Sequence, residues 1–172
     1  MKSLLVVVDY QNDFVDGSLG FKKAQDIYPN IKSKILEYEK SNDDVIFTSD
    51  THSNDYLKSI EGKNLPIPHC IENTKGHQFY KDIQQISEKH LVLKKDTFPC
   101  IKLFSTLKDK LYEKIEIIGV VTNICVLSNA IVLKSIFPNT PIIVDSSCCA
   151  SNNEKLEQEA YDILKNLMIE VK

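Results

Sequence analysis

Five continuous apolar runs recur along the chain: LLVVV at 4–8, VIFT at 45–48, LVL at 91–93, IEIIGVV at 115–121 and PIIVD at 141–145. A strand with one wet face alternates apolar and polar residues. A run with almost no polar member suits a strand buried on both faces, as in a parallel sheet covered by helices on either side. Between the runs the spacing becomes helical. Pro29 stands at a first-turn position ahead of Ile31, Ile35 and Tyr38, and Leu103, Leu107 and Leu111 share one face. A further helix is expected from about Asn123 to Ile136, and a last one carries Leu156, Ala160, Leu164 and Leu167. Strand and helix alternate, which predicts βαβ units with right-handed crossovers. The expected fold is α/β: a three-layer αβα domain over residues 1–172, with an open parallel sheet of about six strands. The sixth is a short strand around Ile169 to Val171. A chain of 172 residues, 42% of them hydrophobic, is long enough for one such core and too short for two.

Charge and composition exclude whole classes of partner. The net charge is −3 and the basic residues are scattered among acids without forming a stripe, so no nucleic-acid partner is expected. No apolar segment approaches the roughly 18 residues of a membrane span. The N-terminal MKSLLVVVDYQ reaches Asp9 after only five apolar residues beyond Ser3, the length of a buried strand and not of a signal peptide. The expected location is therefore cytoplasmic and reducing, with Cys70, Cys100, Cys125, Cys148 and Cys149 as free thiols. Cys148 and Cys149, after the fifth run, read as packing residues. No Cys-x-x-Cys pair supports a zinc ribbon or a thioredoxin-like site.

Two long stretches lack periodicity, one after the first apolar run and one from residue 49 to about 77. Long loops in compact domains are functional or disordered, and both leave the carboxyl ends of predicted strands, where open α/β sheets bind ligands. Asp9, Asp50, His52, Lys94, Lys95 and Cys125 all fall at such ends. Singly, a strand-end Asp is a turn residue, a Lys is solvated and a Cys is small packing. Together they bring a carboxylate, an ammonium and a thiol to one edge of one sheet. Lys95 and a helix N-terminus can favour the thiolate of Cys125, and Asp9 can take the thiol proton and return it to a leaving amine. If the first and fourth strands are neighbours, Asp9 and Cys125 flank the topological switch point, with backbone N–H groups before Cys125 facing a developing oxyanion.

A metal site is also suggested. Asp50 and His52 are two apart and point to one side of an extended segment. His69 sits in LPIPHC, stiffened by Pro66 and Pro68, and Glu61 is a possible fourth ligand. Such an oxygen and nitrogen set suits Zn²⁺, Fe²⁺ or Mn²⁺. His77 and His90 have no such context and read as ordinary residues.

As an ordered set, VVDYQNDFVDGSL, TSDTHS, LPIPHCIENTKG, a Lys ending the third strand, GVVTNICV and VDSSCCASNNE resemble the isochorismatase-like cysteine hydrolases, and most closely the nicotinamidases among them. The resemblance covers Leu4 to Leu167. It implies a Rossmann-type sheet and a catalytic set of Asp9, Cys125 and a lysine. Lys95 is preferred to Lys94 because Phe98 lies three residues beyond it. It implies a non-proline cis peptide joining Val120 to Val121, with the amides of Val121 and Cys125 as the oxyanion hole. It further implies Phe14 and Val120 beside the substrate, and a divalent metal, zinc foremost, on Asp50, His52, His69 and Glu61 that takes the substrate's pyridine nitrogen. Members form homo-oligomers.

The implied activity is hydrolysis of nicotinamide to nicotinate and ammonia through a cysteine thioester. Two departures widen the choice. Asn123 stands where an Asp is usual, and Leu65 and Ile67 stand where an aromatic residue often precedes the metal histidine. Alternatives are another small amide, a carbamate or an enol ether, or a catalytically silent binding protein of the same fold. A flavodoxin-like phosphate binder needs closely spaced glycines after the first strand, and QNDFVDGSLG lacks them.

Overall fold

The computed structural model describes all 172 residues. In chain order its elements are β1 (Leu4–Val8), α1 (Asn12–Val15), α2 (Lys22–Asp26), α3 (Tyr28–Lys40), β2 (Asp44–Asp50), α4 (Ile60–Asn64) and α5 (Ile83–Ser87). There follow β3 (Leu91–Lys95), α6 (Lys102–Leu107), β4 (Ile115–Val120), α7 (Leu127–Ile136), β5 (Ile142–Ala150), α8 (Glu154–Asn166) and β6 (Glu170–Val171). A 3₁₀ turn occupies Tyr56–Lys58, and a π-helical turn, Thr122–Val126, leads into α7.

The six strands form one sheet in the order β3-β2-β1-β4-β5-β6. Every pairing is parallel. The order runs outward in both directions from β1 and β4, so the switch point lies between them. The uninterrupted apolar runs have the cause expected of them. Leu4, Val6 and Val8 enter the core beneath α6, α7 and α8, whereas Leu5 and Val7 enter the core beneath α3 and α5. Successive side chains of a strand point to opposite faces, and here both faces are dry.

The boundaries differ in two places. β5 runs to Ala150, so Cys148 and Cys149 lie inside the strand and are buried. A bulge between Ile117 and Gly119 in the β4–β5 pairing accommodates this extension. The nominally irregular stretch after β1 holds the short helices α1 and α2, too brief to show a period. Gly119 has φ +123, and a Cβ there would lie 2.0 Å from the Val8 carbonyl oxygen; only glycine lets β4 close on β1 beside the switch point.

At the other face of β4 a buried charge cluster ties down the C-terminus. Glu116 meets Lys34 at 3.1 Å and Lys172 at 2.6 Å, and Asp145 meets Lys34 at 3.1 Å. Burial raises both carboxyls, but Lys172, Tyr38 and Lys34 prevail at Glu116, and Ser147 and Lys34 at Asp145, holding each below its ordinary value. A carboxylate depressed on folding stabilises fully above its unfolded pKa and loses that contribution as pH falls through the folded value. Stability should therefore fall off below about pH 4, and Glu116→Gln should flatten that acid limb in pH-dependent thermal denaturation. No helix is long and apolar enough to cross a membrane.

Candidate active site

Three strand ends deliver the candidate catalytic groups. Asp9 follows β1 at φ 47, a left-handed conformation Asp tolerates better than most residues, and this turns its side chain back over the sheet edge. The carboxylate is fully buried: Oδ1 accepts from Thr48 Oγ1 at 2.7 Å, and Oδ2 lies 2.7 Å from Lys95 Nζ. Lys95 Nζ also lies 3.7 Å from Cys125 Sγ, 3.2 Å from Asp50 Oδ1 and 2.9 Å from the Thr97 carbonyl. One buried ammonium thus touches the carboxylate, the thiol and Asp50. Lys94, the alternative lysine, points outward and pairs with Glu72.

The electrostatics of the three groups are coupled. Burial and the Asp9 carboxylate push the Cys125 thiol well above its usual range, while Lys95 pulls it down. Burial lifts Asp9, opposed by Lys95. Burial disfavours the Lys95 ammonium, but Asp9, Cys125 and Asp50 override that and hold it protonated. The resting arrangement is a thiol beside an Asp9–Lys95 ion pair, with a carboxylate that accepts a proton more readily than an exposed one does.

Cys125 sits in the π-helical turn after β4. The peptide joining Val120 to Val121 is cis, as the resemblance implies. The amide of Val121 donates to no group of the protein, and the first-turn amides of a helix lack intrahelical acceptors.

The oxygen and nitrogen donors converge on the neighbouring wall. Ligand atoms of Asp50, His52 and His69 all lie within 4.8 Å of one another, and the three residues are buried. Asp50 Oδ2 is 2.9 Å from His52 Nε2 and 3.5 Å from His69 Nε2. Glu61 Oε1 is 3.5 Å from His69 Nε2 and 3.9 Å from His52 Nε2. The set fits a divalent ion. His69 Nδ1 donates to the Ile67 carbonyl at 2.8 Å, which fixes the tautomer of the neutral ring and directs Nε2 toward the cluster. Burial opposes protonation of His69, but the contacts to Asp50 and Glu61 prevail and carry it to about 9. The pocket is built to attract positive charge.

The residues that hold this wall come from QNDF. Gln11 donates to the carbonyls of Asp50 and His77 at 2.8 Å each and accepts from the Asp50 amide at 2.8 Å. Asp13 Oδ2 accepts from the Cys70 amide at 2.7 Å, fixing the backbone next to His69.

The Isochorismatase domain family matches residues 3–171. The chain belongs to the isochorismatase family. Within it, an uncharacterized isochorismatase family protein PncA of Bacillus subtilis (strain 168) is 29% identical over 143 residues, 76% of this chain and 78% of its own. A pyrazinamidase/nicotinamidase from Streptococcus mutans UA159 superposes with TM-score 0.89 at 28% identity, covering 99% of this chain and 100% of its own. A pyrazinamidase of Pyrococcus horikoshii, in complex with zinc, shares the fold with TM-score 0.87 at 22% identity, covering 100% and 99%.

In this isochorismatase-family chain Cys125 opens onto a cavity of about 220 Å³, with Asp9 and Lys95 buried behind it. Cys125 and Val121 lie on one side, Asp50, Glu61 and His69 on another, and Phe14, Phe21 and Phe98 form apolar walls. Phe14, expected beside the substrate, lines the cavity. Val120 does not: it is the last residue of β4 and is wholly buried in the core under α3. The chain turns one residue later, so Val121 takes that place.

His52 stands behind the cluster and does not line the cavity either. Phe21, Leu19, Ile124 and Asn152 do, and were not foreseen as lining residues. Phe21 and Leu19 sit in the aperiodic stretch after β1, and Asn152 follows β5; only their position beyond strand carboxyl ends could have flagged them. With the three phenylalanines in place, aliphatic Leu65 does not leave the cavity without aromatic walls.

Proposed function

We propose that the chain is an amidohydrolase that converts nicotinamide to nicotinate and ammonia through a thioester on Cys125. The observation that carries this is the Lys95 ammonium, in contact with both Asp9 and Cys125 behind a small, phenylalanine-walled cavity that Asp50, His69 and Glu61 also line, with His52 behind them. Phe14, Phe21 and Phe98 suit a flat ring, and the cavity has room for little more than a ring and a carboxamide.

The chemistry follows from the three groups. Asp9 takes the thiol proton as Cys125 Sγ attacks the carboxamide carbon. The carbonyl oxygen becomes an oxyanion received by the amides of Val121 and Cys125. Asp9 returns its proton to the nitrogen as the C–N bond breaks, releasing ammonia and leaving the thioester. Water then attacks the thioester carbon while Asp9 accepts its proton; as the C–S bond breaks Asp9 passes that proton to the sulfur, restoring the thiol and its own carboxylate, and the acid product loses its proton to solvent and departs as nicotinate. Lys95 keeps carboxylate and sulfur together throughout, its positive charge offsetting whichever of the two is anionic. A divalent ion on Asp50, His52, His69 and Glu61 would supply a Lewis-acid acceptor for the ring nitrogen's lone pair. Zinc is the first to test, because a protein of the same fold was crystallised with it.

Comparison of nicotinamide with benzamide tests the reading. Benzamide has the same ring size and carboxamide but no ring nitrogen, so kcat/KM measured by ammonia release should be about 100-fold lower. Equal turnover of the two would leave the donor cluster without a role in substrate choice and move the assignment to a broader amidase. Exposed Ile101, Phe104 and Ile131 on and near α6 and α7 support a homo-oligomer, which sedimentation would reveal.

A further inference from the structure

Glu157 is a buried carboxylate with no part in the chemistry above. It lies on the core face of α8 with Ala160 and Leu164, and is 4% exposed. A charge in that position is costly unless it is paired and hydrogen-bonded. Its partners are specific. Oε1 accepts from Thr122 Oγ1 at 3.0 Å and from the Tyr161 hydroxyl at 3.4 Å, while Oε2 pairs with Lys23.

Thr122 is wholly buried and directly follows Val121, whose amide has no partner in the protein. Lys23 lies two residues beyond Phe21 of the cavity wall. The same turn is held from just beyond β5 by Ser151 Oγ, which donates to Asn123 Oδ1 at 2.6 Å. The charge of Glu157 is answered by Lys23, so a carboxylate stands close behind the turn without opposing negative charge on the substrate.

We infer that Glu157 is a positioning residue for the oxyanion turn: by anchoring Thr122 it fixes the direction of the Val121 amide, and it joins that turn to the Phe21 wall through Lys23. This rests on the hydrolase reading of Cys125 but not on the identity of the amide. Losing an oxyanion donor outright costs about 10²–10³ in kcat, and misdirecting one should cost less, about 10- to 100-fold.

The test uses the intact chain with two acyl substrates, nicotinamide and p-nitrophenyl acetate, and follows kcat and KM for Glu157→Gln, Glu157→Leu and Thr122→Val. Glu157→Gln keeps an acceptor for Thr122 and should stay within about threefold of wild type, whereas Glu157→Leu and Thr122→Val should each lower kcat by about 10- to 100-fold with KM unchanged. The double variant should be no slower than the slower single, because both remove one link. Alkylation of Cys125 by iodoacetamide needs no oxyanion hole and should proceed at the wild-type rate.

Wild-type kcat in Glu157→Leu overturns the inference, as does a parallel loss of kcat and alkylation. If Glu157→Leu does not fold, Thr122→Val decides alone, and wild-type kcat there overturns it. A wild-type protein that cleaves p-nitrophenyl acetate through Cys125 but leaves nicotinamide untouched removes the substrate assignment, and the variants still decide the role of Glu157. A wild-type protein inert to both overturns both.

Discussion

Asp9→Asn should reduce amide hydrolysis by roughly 10³- to 10⁴-fold while making Cys125 more, not less, reactive toward iodoacetamide at neutral pH. The two halves of this result have one cause. Asn is nearly isosteric and can still accept from Thr48, so the fully buried position stays filled. What disappears is the group that, in the proposed mechanism, takes the thiol proton and hands it to the leaving nitrogen. The Asp9 carboxylate is also one of the forces that raises the Cys125 pKa, second only to burial, whereas Lys95 lowers it. With Asp9 neutral, the Lys95 ammonium is left with Asp50 at 3.2 Å and the sulfur at 3.7 Å as the anions it stabilises. Alkylation requires only the thiolate, whereas hydrolysis requires proton transfer to a poor leaving group. A slower alkylation in step with hydrolysis would mean that Asp9 only supports the local fold.

Removing the metal is expected to have the second largest effect. Dialysis against a chelator, or the pair His52→Ala and His69→Ala, should lower kcat/KM for nicotinamide by about 100-fold, and zinc should restore the chelated protein but not the variant. Cys125 alkylation should be little changed, because Lys95 and not the cluster neutralises the thiolate. Binding should also release protons. His69 is carried to about 9 by Asp50 and Glu61 against the effect of burial, so it is charged at neutral pH and must lose a proton to ligate. Calorimetry in two buffers of different ionisation enthalpy would detect the release. Zinc at 100 times its Kd should add about 2.7 kcal/mol of stability, visible as a rise in Tm.

Much of this arrangement is legible in the chain itself. The apolar runs indicate a two-faced parallel sheet because they are short, rich in Val and Ile, and alternate with helical patterns. Placement of the active groups follows from the same pattern: residues beyond the carboxyl ends of strands converge once the sheet is parallel. Asp9, Asp50, Lys95 and Cys125 come together because β1, β2, β3 and β4 end on one edge. Cavity walls are harder to read. Val120 and Val121 are chemically identical neighbours, and only the turn after β4 decides which faces the core and which the cavity. Gln11 and Glu157 look like surface residues by type, and nothing in their local sequence reveals that the chain buries them to hold backbone turns.

Cys125 is the residue on which the proposed chemistry depends. Ammonia release from nicotinamide by zinc-loaded protein, run beside Cys125→Ala, tests it most directly. A thioester mechanism predicts release by the wild type and loss of all but background in the variant. Release undiminished in Cys125→Ala, or none from the wild type under the same conditions, would contradict it.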